Sequence, residues 1–171
     1  MTLTSDYQIQ DFSEKSDPLL LKEIFILNQA NTPAVGSLDS IDHLKNLLSK
    51  SIKNLFISNQ DRLVGFIVCF RENSNYESEN YKFFSQLEKT FMYIDRVAID
   101  KEFRRNRLGQ ELYNNIEKIC IKKKLPLFCE VNTFPMNKPS IDFHKKLGFY
   151  EVGNNDFTAN SVVYLKKDVY K

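Results

Sequence analysis

The chain has 171 residues, of which 42% are hydrophobic and 27% are charged, and its formal net charge is +2. This length and composition are typical of one globular domain with a substantial core, so we predict a single domain over residues 1–171. The small net charge disfavours a general binder of nucleic acids, and any anion site must come from local clustering.

Targeting and metal signals are missing from the sequence. No segment resembles a secretory signal or a membrane span, so we expect a cytoplasmic protein that binds neither membranes nor nucleic acid. The cysteines Cys69, Cys120 and Cys129 lie in apolar segments without metal-binding spacing. We therefore predict three buried free thiols and no metal site.

The N-terminal half is predicted to begin with a strand at Tyr7–Ile9 and a helix that starts at Asp17-Pro18, a capping residue followed by a first-turn proline. A loop over residues 28–39 leads to a second helix, whose apolar residues recur at helical spacing. A hairpin then pairs Leu55–Ser58 with Leu63–Phe70. The aromatic-rich residues 71–90 show little periodicity and are predicted to be an irregular insertion.

The C-terminal half is predicted to run strand, helix, strand, helix and hairpin. The ranges are Phe91–Ile99, an amphipathic helix from Leu108 to Cys120, Leu127–Val131, Asn137–Leu147, and Tyr150–Gly153 paired with Val162–Lys166. A strand–helix–strand crossover is right-handed and makes its strands parallel. We therefore predict an α/β fold with a mixed sheet of about seven strands, a central parallel pair and about four flanking helices.

An arginine-rich turn, residues 104–109, lies where the strand before it ends and the helix after it begins. It reads Arg104-Arg105-Asn106-Arg107-Leu108-Gly109. Unpaired backbone N–H groups, the positive end of the helix dipole and three arginine side chains meet there, which predicts a phosphate-type anion site. Ligands also bind beyond the C-terminal ends of parallel strands, which is where this turn lies.

This turn resembles the pyrophosphate loop of the GNAT superfamily of acyl-CoA-dependent N-acyltransferases, whose pattern is [Gln/Arg]-x-x-Gly-x-[Gly/Ala]. Arg104 and Gly109 match the pattern, and Arg107 stands where the family has its first glycine. Any residue with helical dihedrals offers the same backbone N–H. We therefore expect Arg107 to act through its backbone and to point its side chain outward.

A second motif, from Asn137 to Phe149, resembles the family's Asn-x-x-Ala-x-x-Phe-Tyr-x-x-x-Gly-Phe segment with the same spacing throughout. Ser140 replaces the alanine, and His144 replaces a tyrosine that in many members lies near the sulfur of coenzyme A. That tyrosine is proposed to protonate the leaving thiolate. The resemblance covers most of the chain, and further segments are similar to a bacterial branch of the superfamily that suggests no acceptor.

The resemblance implies an enzyme that moves an acetyl group from acetyl-CoA to a primary amine of a small molecule or peptide. Transfer would be direct, in a ternary complex, by a monomer or homodimer. The strand before the turn would pair with the pantetheine arm. The residues assigned to coenzyme A are Val97, Ala98, Ile99, Arg104, Arg105, Asn106, Arg107, Leu108, Gly109, Gln110, Asn132, Asn137, Ser140, Phe143, His144 and Lys146.

Transfer of the acetyl group to an amine requires a base, because an ammonium has no lone pair and must first lose a proton. Asp95 is the first candidate, since it is a charged residue in an apolar strand where burial would raise its pKa, and alternation places it with Tyr93 and Val97 on one face. His144 is the candidate acid, with Tyr93 a lesser one.

Simpler interpretations stay open for the same residues. The alternative to a base is that Asp95 forms a structural ion pair with Arg96, although alternation puts the two on opposite faces. His144 could be an exposed helix residue. A second function also stays open, namely a non-catalytic acyl-CoA-binding module that regulates a partner.

Overall fold

The computed structural model describes residues 6–170, and within them seven strands and five α-helices. The strands are β1 (Tyr7–Asp11), β2 (Lys53–Asn59), β3 (Arg62–Arg71), β4 (Met92–Ile99), β5 (Leu127–Phe134), β6 (Tyr150–Asp156) and β7 (Ser161–Lys167). The helices are α1 (Pro18–Ala30), α2 (Ile41–Lys50), α3 (Glu79–Leu87), α4 (Leu108–Lys123) and α5 (Lys138–Lys146), with a 3-10 turn at Lys101–Phe103. Of these helices, none is long and apolar enough to cross a membrane.

All seven strands form one sheet in the order β1-β2-β3-β4-β5-β7-β6, in which only β4 and β5 are parallel. The predicted mixed sheet with a central parallel pair is therefore confirmed. One side of the sheet packs against α1, α2 and α3 and the other against α4 and α5. All three cysteines are buried free thiols, as predicted.

The prediction of an irregular segment over residues 71–90 is wrong, because α3 forms inside it. The side chain of Ser78 accepts a hydrogen bond from the N–H of Tyr81 and caps the helix. Tyr81 and Phe84, three residues apart, are buried against the sheet. The helix has nine residues, so its buried face offers too few positions for a periodic signal.

The central strands separate as they run toward the arginine-rich turn. β4 and β5 pair only at Met92–Leu127 and Tyr93–Phe128. Beyond these pairs, β4 stays bonded to β3, and β5 stays bonded to β7. The middle of the sheet therefore opens into a V-shaped gap. Along this gap, the facing backbone groups of β4 and β5 do not hydrogen-bond to each other.

A β-bulge in β4 changes which side chains share a face. Ile94 lies opposite Cys69 but Arg96 lies opposite Val68, so Asp95 is an extra residue that has no partner of its own on β3. Such an insertion breaks the alternation of side chains along a strand.

The bulge overturns two predictions about β4. Tyr93 belongs to the cluster beside α1 and α3, whereas Val97 packs against the cluster beside α4, so they do not share a face. Asp95 and Arg96 are not on opposite faces either, because they form an ion pair of 2.7 Å.

Candidate active site

The gap between β4 and β5 contains a cleft of about 270 Å³. The α1–α2 loop at residues 33–36 and the segment that leads into α3 form one side, and Tyr113 of α4 and His144 of α5 form another. Among residues 6–170, no group of three or more histidine, cysteine or acidic side chains is placed to hold a metal ion.

The N-terminus of α4 opens at the wide end of this gap. A side chain caps each of the other four helices, through Asp17, Ser40, Ser78 and Asn137. Arg107, which precedes α4, makes no such cap, and the first hydrogen bond of the helix joins the N–H of Glu111 to the carbonyl of Arg107. The backbone N–H groups of residues 108–110 are therefore available to an anion.

Arg107 does not have the helical dihedrals that we expected. Its φ of 61° and ψ of 14° are left-handed, and the residue is exposed. Arg105 is also left-handed, with φ of 64°. Left-handed backbone favours glycine, so the conformation gives a physical reason for the glycine of the family pattern. The outward side chain of Arg107 agrees with the prediction.

Gly109 joins the two sequence motifs. A methyl group placed on Gly109 would lie 3.6 Å from Cζ of Phe143, so the first turn of α4 packs against α5. Leu108, the first residue of α4, is buried in the core on this side of the sheet. The exposed members of the predicted coenzyme A set in this region are Arg104, Arg105, Asn106, Arg107, Gln110 and Lys146.

The side chain of Arg104 is hydrogen-bonded to the end of α1 and to β4. Its Nη2 donates to Oδ1 of Asn31, at the end of α1, over 2.8 Å, and its Nε donates to the carbonyl of Ile99 over 3.3 Å. Val97, Ala98 and Ile99 lie on β4 beyond the point where it leaves β5.

Asn132 of β5 connects the cleft to the α1–α2 loop. Its amide nitrogen donates to the carbonyl of Pro33 over 2.9 Å, and its oxygen accepts from Asn160 over 3.1 Å. The side chain of Asn137 accepts from the N–H of Ser140 over 3.4 Å and so caps α5. Both asparagines line the cleft, but both amides hold local structure.

Asp95 lies in the cleft as part of an ion pair, the simpler of the two interpretations offered by the sequence. Its Oδ2 accepts from Nε of Arg96 over 2.7 Å, and its Oδ1 accepts from the hydroxyl of Tyr76 over 2.6 Å. Only 5% of the Asp95 side chain is exposed. Arg96 continues to Oδ1 of Asn28 and the carbonyl of Gly36, which fastens the α1–α2 loop to β4.

Glu130 of β5 is a second carboxylate of the cleft, and our sequence reasoning missed it. Its Oε1 accepts from the hydroxyl of Tyr93 over 3.0 Å and from the amide of Asn80 over 3.1 Å. Its Oε2 is enclosed and has no hydrogen-bond partner within residues 6–170. The sequence does carry a signal for Glu130, because this residue, like Asp95, is a charged residue inside an apolar strand.

Enclosure changes the acidity of Glu130. Burial raises the pKa of its carboxyl to about 8, and the neighbouring charge of Asp95 acts in the same direction. The hydrogen bonds from Tyr93 and Asn80 oppose these effects, because they stabilise the ionised form. A carboxyl group with this pKa can exchange a proton near neutral pH.

His144 is buried, with 3% exposure, so the alternative of an exposed helix residue is wrong. Its Nδ1 lies 2.7 Å from the carbonyl of Ser140, which only accepts, so Nδ1 carries the hydrogen. In the neutral ring, Nε2 then accepts from the hydroxyl of Tyr113 over 2.6 Å. Burial lowers the pKa of the imidazole.

Known proteins share this architecture. A family model described as the Acetyltransferase (GNAT) family matches residues 21–149. No curated protein matches the chain in sequence. The ribosomal-protein-S18-alanine N-acetyltransferase from Escherichia coli is similar in fold, with a TM-score of 0.68 and 13% identity over 96% of this chain and 95% of that chain.

Two further solved structures have the same fold. An aminoglycoside 6'-N-acetyltransferase in complex with coenzyme A has a TM-score of 0.71 and 17% identity over 95% of this chain and 97% of its own. Arabidopsis thaliana Naa50, in complex with the bisubstrate analogue CoA-Ac-MVNAL, has a TM-score of 0.69 and 19% identity over 95% of this chain and 98% of its own. Because the family model spans most of the chain, the protein belongs to the GNAT family of acetyltransferases.

Proposed function

We propose that this protein is an N-acetyltransferase that moves the acetyl group of acetyl-CoA to a primary amine of a small molecule or peptide. One observation carries the proposal: β4 and β5 separate between an uncapped helix N-terminus and an enclosed carboxylate. The first can hold the phosphates of the donor, and the second can take the proton of the acceptor.

The donor would lie along the gap, where three features of this chain fit coenzyme A. The N–H groups of residues 108–110 suit a pyrophosphate, and the exposed Arg105 adds positive charge beside them. Beyond the last β4–β5 pair, the backbone of Val97–Ile99 has no partner on β5, and apart from the Ile99 carbonyl, which accepts from Arg104, its groups on that side can bond the amides of a pantetheine arm. The acetyl thioester supplies the carbonyl carbon that the amine attacks.

We assign the base to Glu130 rather than to Asp95. The Asp95 carboxylate already accepts from Arg96 and Tyr76, whereas Oε2 of Glu130 has no partner among the described residues. Glu130 lines the cleft, so an ammonium that enters the cleft would lose a proton to this carboxylate, directly or through a water molecule. The pKa of about 8 for Glu130 is close to the pKa of an amine, so the proton transfer requires little free energy.

The leaving thiolate would receive its proton through Tyr113, with His144 behind it. When His144 is protonated, its Nε2–H can donate to Tyr113, whose hydroxyl hydrogen is then free to point into the cleft. The Nε2 proton passes to the phenolic oxygen as the phenolic proton passes to sulfur, which leaves a neutral ring and a thiol. A lowered pKa makes the imidazolium a stronger donor once it forms.

A direct transfer, without an acyl-enzyme, agrees with the cysteine in the cleft. Cys129 lines the cleft, but burial raises the pKa of its thiol well above the ordinary value. The thiol therefore stays protonated at neutral pH and is a poor nucleophile.

The test combines binding and turnover in Glu130→Gln. Calorimetry should show unchanged affinity for acetyl-CoA, and thiol release with the best acceptor should fall by about 100-fold or more. The acceptor comes from a panel of peptides with free N-termini, amino acid amides, polyamines and aminoglycosides. Glu151→Gln, an exposed carboxylate on β6, is the matched control and should retain full activity.

Two results would contradict the proposal. Failure to bind acetyl-CoA would remove its basis. Binding without thiol release for any acceptor would favour the non-catalytic acyl-CoA-binding module.

A further inference from the structure

One phenol stands between the two carboxylates of the cleft. The hydroxyl of Tyr93 lies 3.0 Å from Oε1 of Glu130 on β5 and 3.3 Å from Oδ1 of Asp95 on its own strand. A phenol has a single hydrogen, so it can donate to only one carboxylate at a time. The two contacts are therefore alternatives.

The residues around Tyr93 fix its ring but do not determine which of the two carboxylates its hydroxyl donates to. Tyr93 is fully buried, and the rings of Phe70, Tyr81 and Phe84 pack around it. The hydroxyl of Tyr81 is directed elsewhere, to the carbonyl of Arg71. The ring therefore stays fixed while the hydroxyl hydrogen rotates.

The two acceptors differ in what else supports them. Asp95 keeps Arg96 and Tyr76 as donors whether or not Tyr93 turns toward it. Among residues 6–170, Asn80 is the one other side chain that donates to Glu130, and the oxygen of Asn80 in turn accepts from the hydroxyl of Tyr164. When both carboxylates are ionised, a hydrogen bond from Tyr93 stabilises Glu130 more than Asp95, because Glu130 has fewer other donors. The distances agree, since the hydroxyl of Tyr93 lies closer to Glu130 than to Asp95.

We propose that Tyr93 is a two-position hydrogen-bond switch, which donates to Glu130 while that carboxylate is ionised and to Asp95 once Glu130 has taken up a proton. No covalent bond to Tyr93 changes. An N–H bond of the acceptor breaks, an O–H bond forms on Glu130, and the phenol turns its own hydrogen to the carboxylate that is still charged. Tyr93 is thus a positioning residue that stabilises both states of Glu130.

The switch rests on the proposed function only in naming the acceptor amine as the proton source. It is tested first in the protein alone, by following the Glu130 carboxyl carbon and the Tyr93 Cζ in carbon-13 NMR across pH. Both signals should change with one midpoint in the wild type, because protonation of Glu130 moves the hydrogen of Tyr93. A Tyr93 signal that does not respond at the midpoint of Glu130 would overturn the proposal.

Variants then separate a switch from simple electrostatics. Tyr93→Phe should raise the pKa of Glu130 by about one unit, because the ionised form loses the shorter hydrogen bond and the protonated form loses only the longer one to Asp95. Asp95→Asn should lower this pKa by about one unit, because it removes a neighbouring negative charge. In the Tyr93→Phe background, Asp95→Asn should cause a smaller shift, since no hydrogen remains to redistribute. Shifts that add independently would overturn the switch. Tyr81→Phe, which removes a buried hydroxyl from the same cluster, should leave the Glu130 midpoint unmoved.

Kinetics supplies the link to turnover. The acidic limb of kcat/KM for the acceptor should move upward in Tyr93→Phe and downward in Asp95→Asn, in step with the NMR midpoints. If the NMR shifts appear and no acceptor is acetylated, the proposed function fails and the switch stands. If turnover occurs but the Glu130 midpoint stays fixed in all variants, the switch fails and the proposed function stands.

Discussion

The hydroxyl of Tyr113 donates to Nε2 of His144 over 2.6 Å, and both side chains are buried at the wall of the cleft. His144 stands where the family motif has a tyrosine, yet a tyrosine hydroxyl is still present, supplied by α4 instead of α5. The pair therefore places an imidazole behind a phenol, so the two groups should act as one unit.

Tyr113→Phe and His144→Phe should each lower thiol release about 10- to 100-fold, and the double variant should be little worse than either. The measurement is kcat with acetyl-CoA and with an acetyl thioester of a more acidic thiol. The better leaving group needs no proton, so its defect should be much smaller. Equal defects with both donors would show that the pair does not protonate sulfur. His43→Phe, on the exposed face of α2, is the control.

Glu130→Gln should become more stable than the wild type as pH rises. The folded pKa of about 8 lies above the ordinary value of 4.5, so the contribution of this carboxyl is fully present below pH 4.5 and is lost as pH rises through 8. Glutamine does not ionise, so the variant does not lose stability in this pH range. Urea unfolding at pH 5, 7 and 9 should show a gain of about 1–3 kcal/mol at the highest pH, discounted for residual exposure. A difference that is constant with pH would contradict the burial of Glu130.

Arg96→Leu should destabilise the fold by about 3–5 kcal/mol, because it leaves the buried charge of Asp95 without its cationic partner. It also releases the carbonyl of Gly36 and so loosens the α1–α2 loop on one side of the cleft, which should lower turnover as well. The double variant Asp95→Asn/Arg96→Leu should lose less stability than Arg96→Leu alone. Urea unfolding measures the cycle, and additive losses would contradict the coupling. Arg62→Leu, in an exposed ion pair, is the control.

Arg107→Asn and Arg107→Val remove the same side-chain contacts but differ in their preference for left-handed backbone. Asparagine tolerates φ near 61°, whereas a β-branched residue does not, so valine should cost about 1–2 kcal/mol more. Thermal unfolding without ligand gives the difference. Acetyl-CoA should bind the asparagine variant nearly as well as the wild type, since the loop acts through backbone N–H groups. Equal melting temperatures for both variants would contradict the left-handed conformation.

The strands and most helices follow from local patterns in the sequence. The capping residues of α1 and α5 and the apolar spacing in α2 and α4 are signals carried within one segment. α3 was missed because its nine residues bury only Tyr81 and Phe84. The two motifs, far apart in the sequence, come together in the fold, where Gly109 of α4 packs against Phe143 of α5.

The roles of the charged residues did not follow from such patterns. Asp95 was expected to alternate with its neighbours, but the bulge depends on how β4 pairs with β3, which no single strand encodes. Glu130 was passed over because its enclosure depends on Asn80 and Tyr93, which lie 50 and 37 residues earlier in the chain.

The sequence by itself determined the family resemblance, the order of the strands and of every helix except α3, and the position of the arginine-rich turn before α4. These depend on residue type and spacing along the chain. Only the tertiary structure decided that Asp95 is held by Arg96, that one oxygen of Glu130 is enclosed without a hydrogen-bond partner among residues 6–170, and that Tyr93 stands between the two carboxylates. Acidity is set by which groups surround a carboxyl, and folding brings those groups together from distant segments.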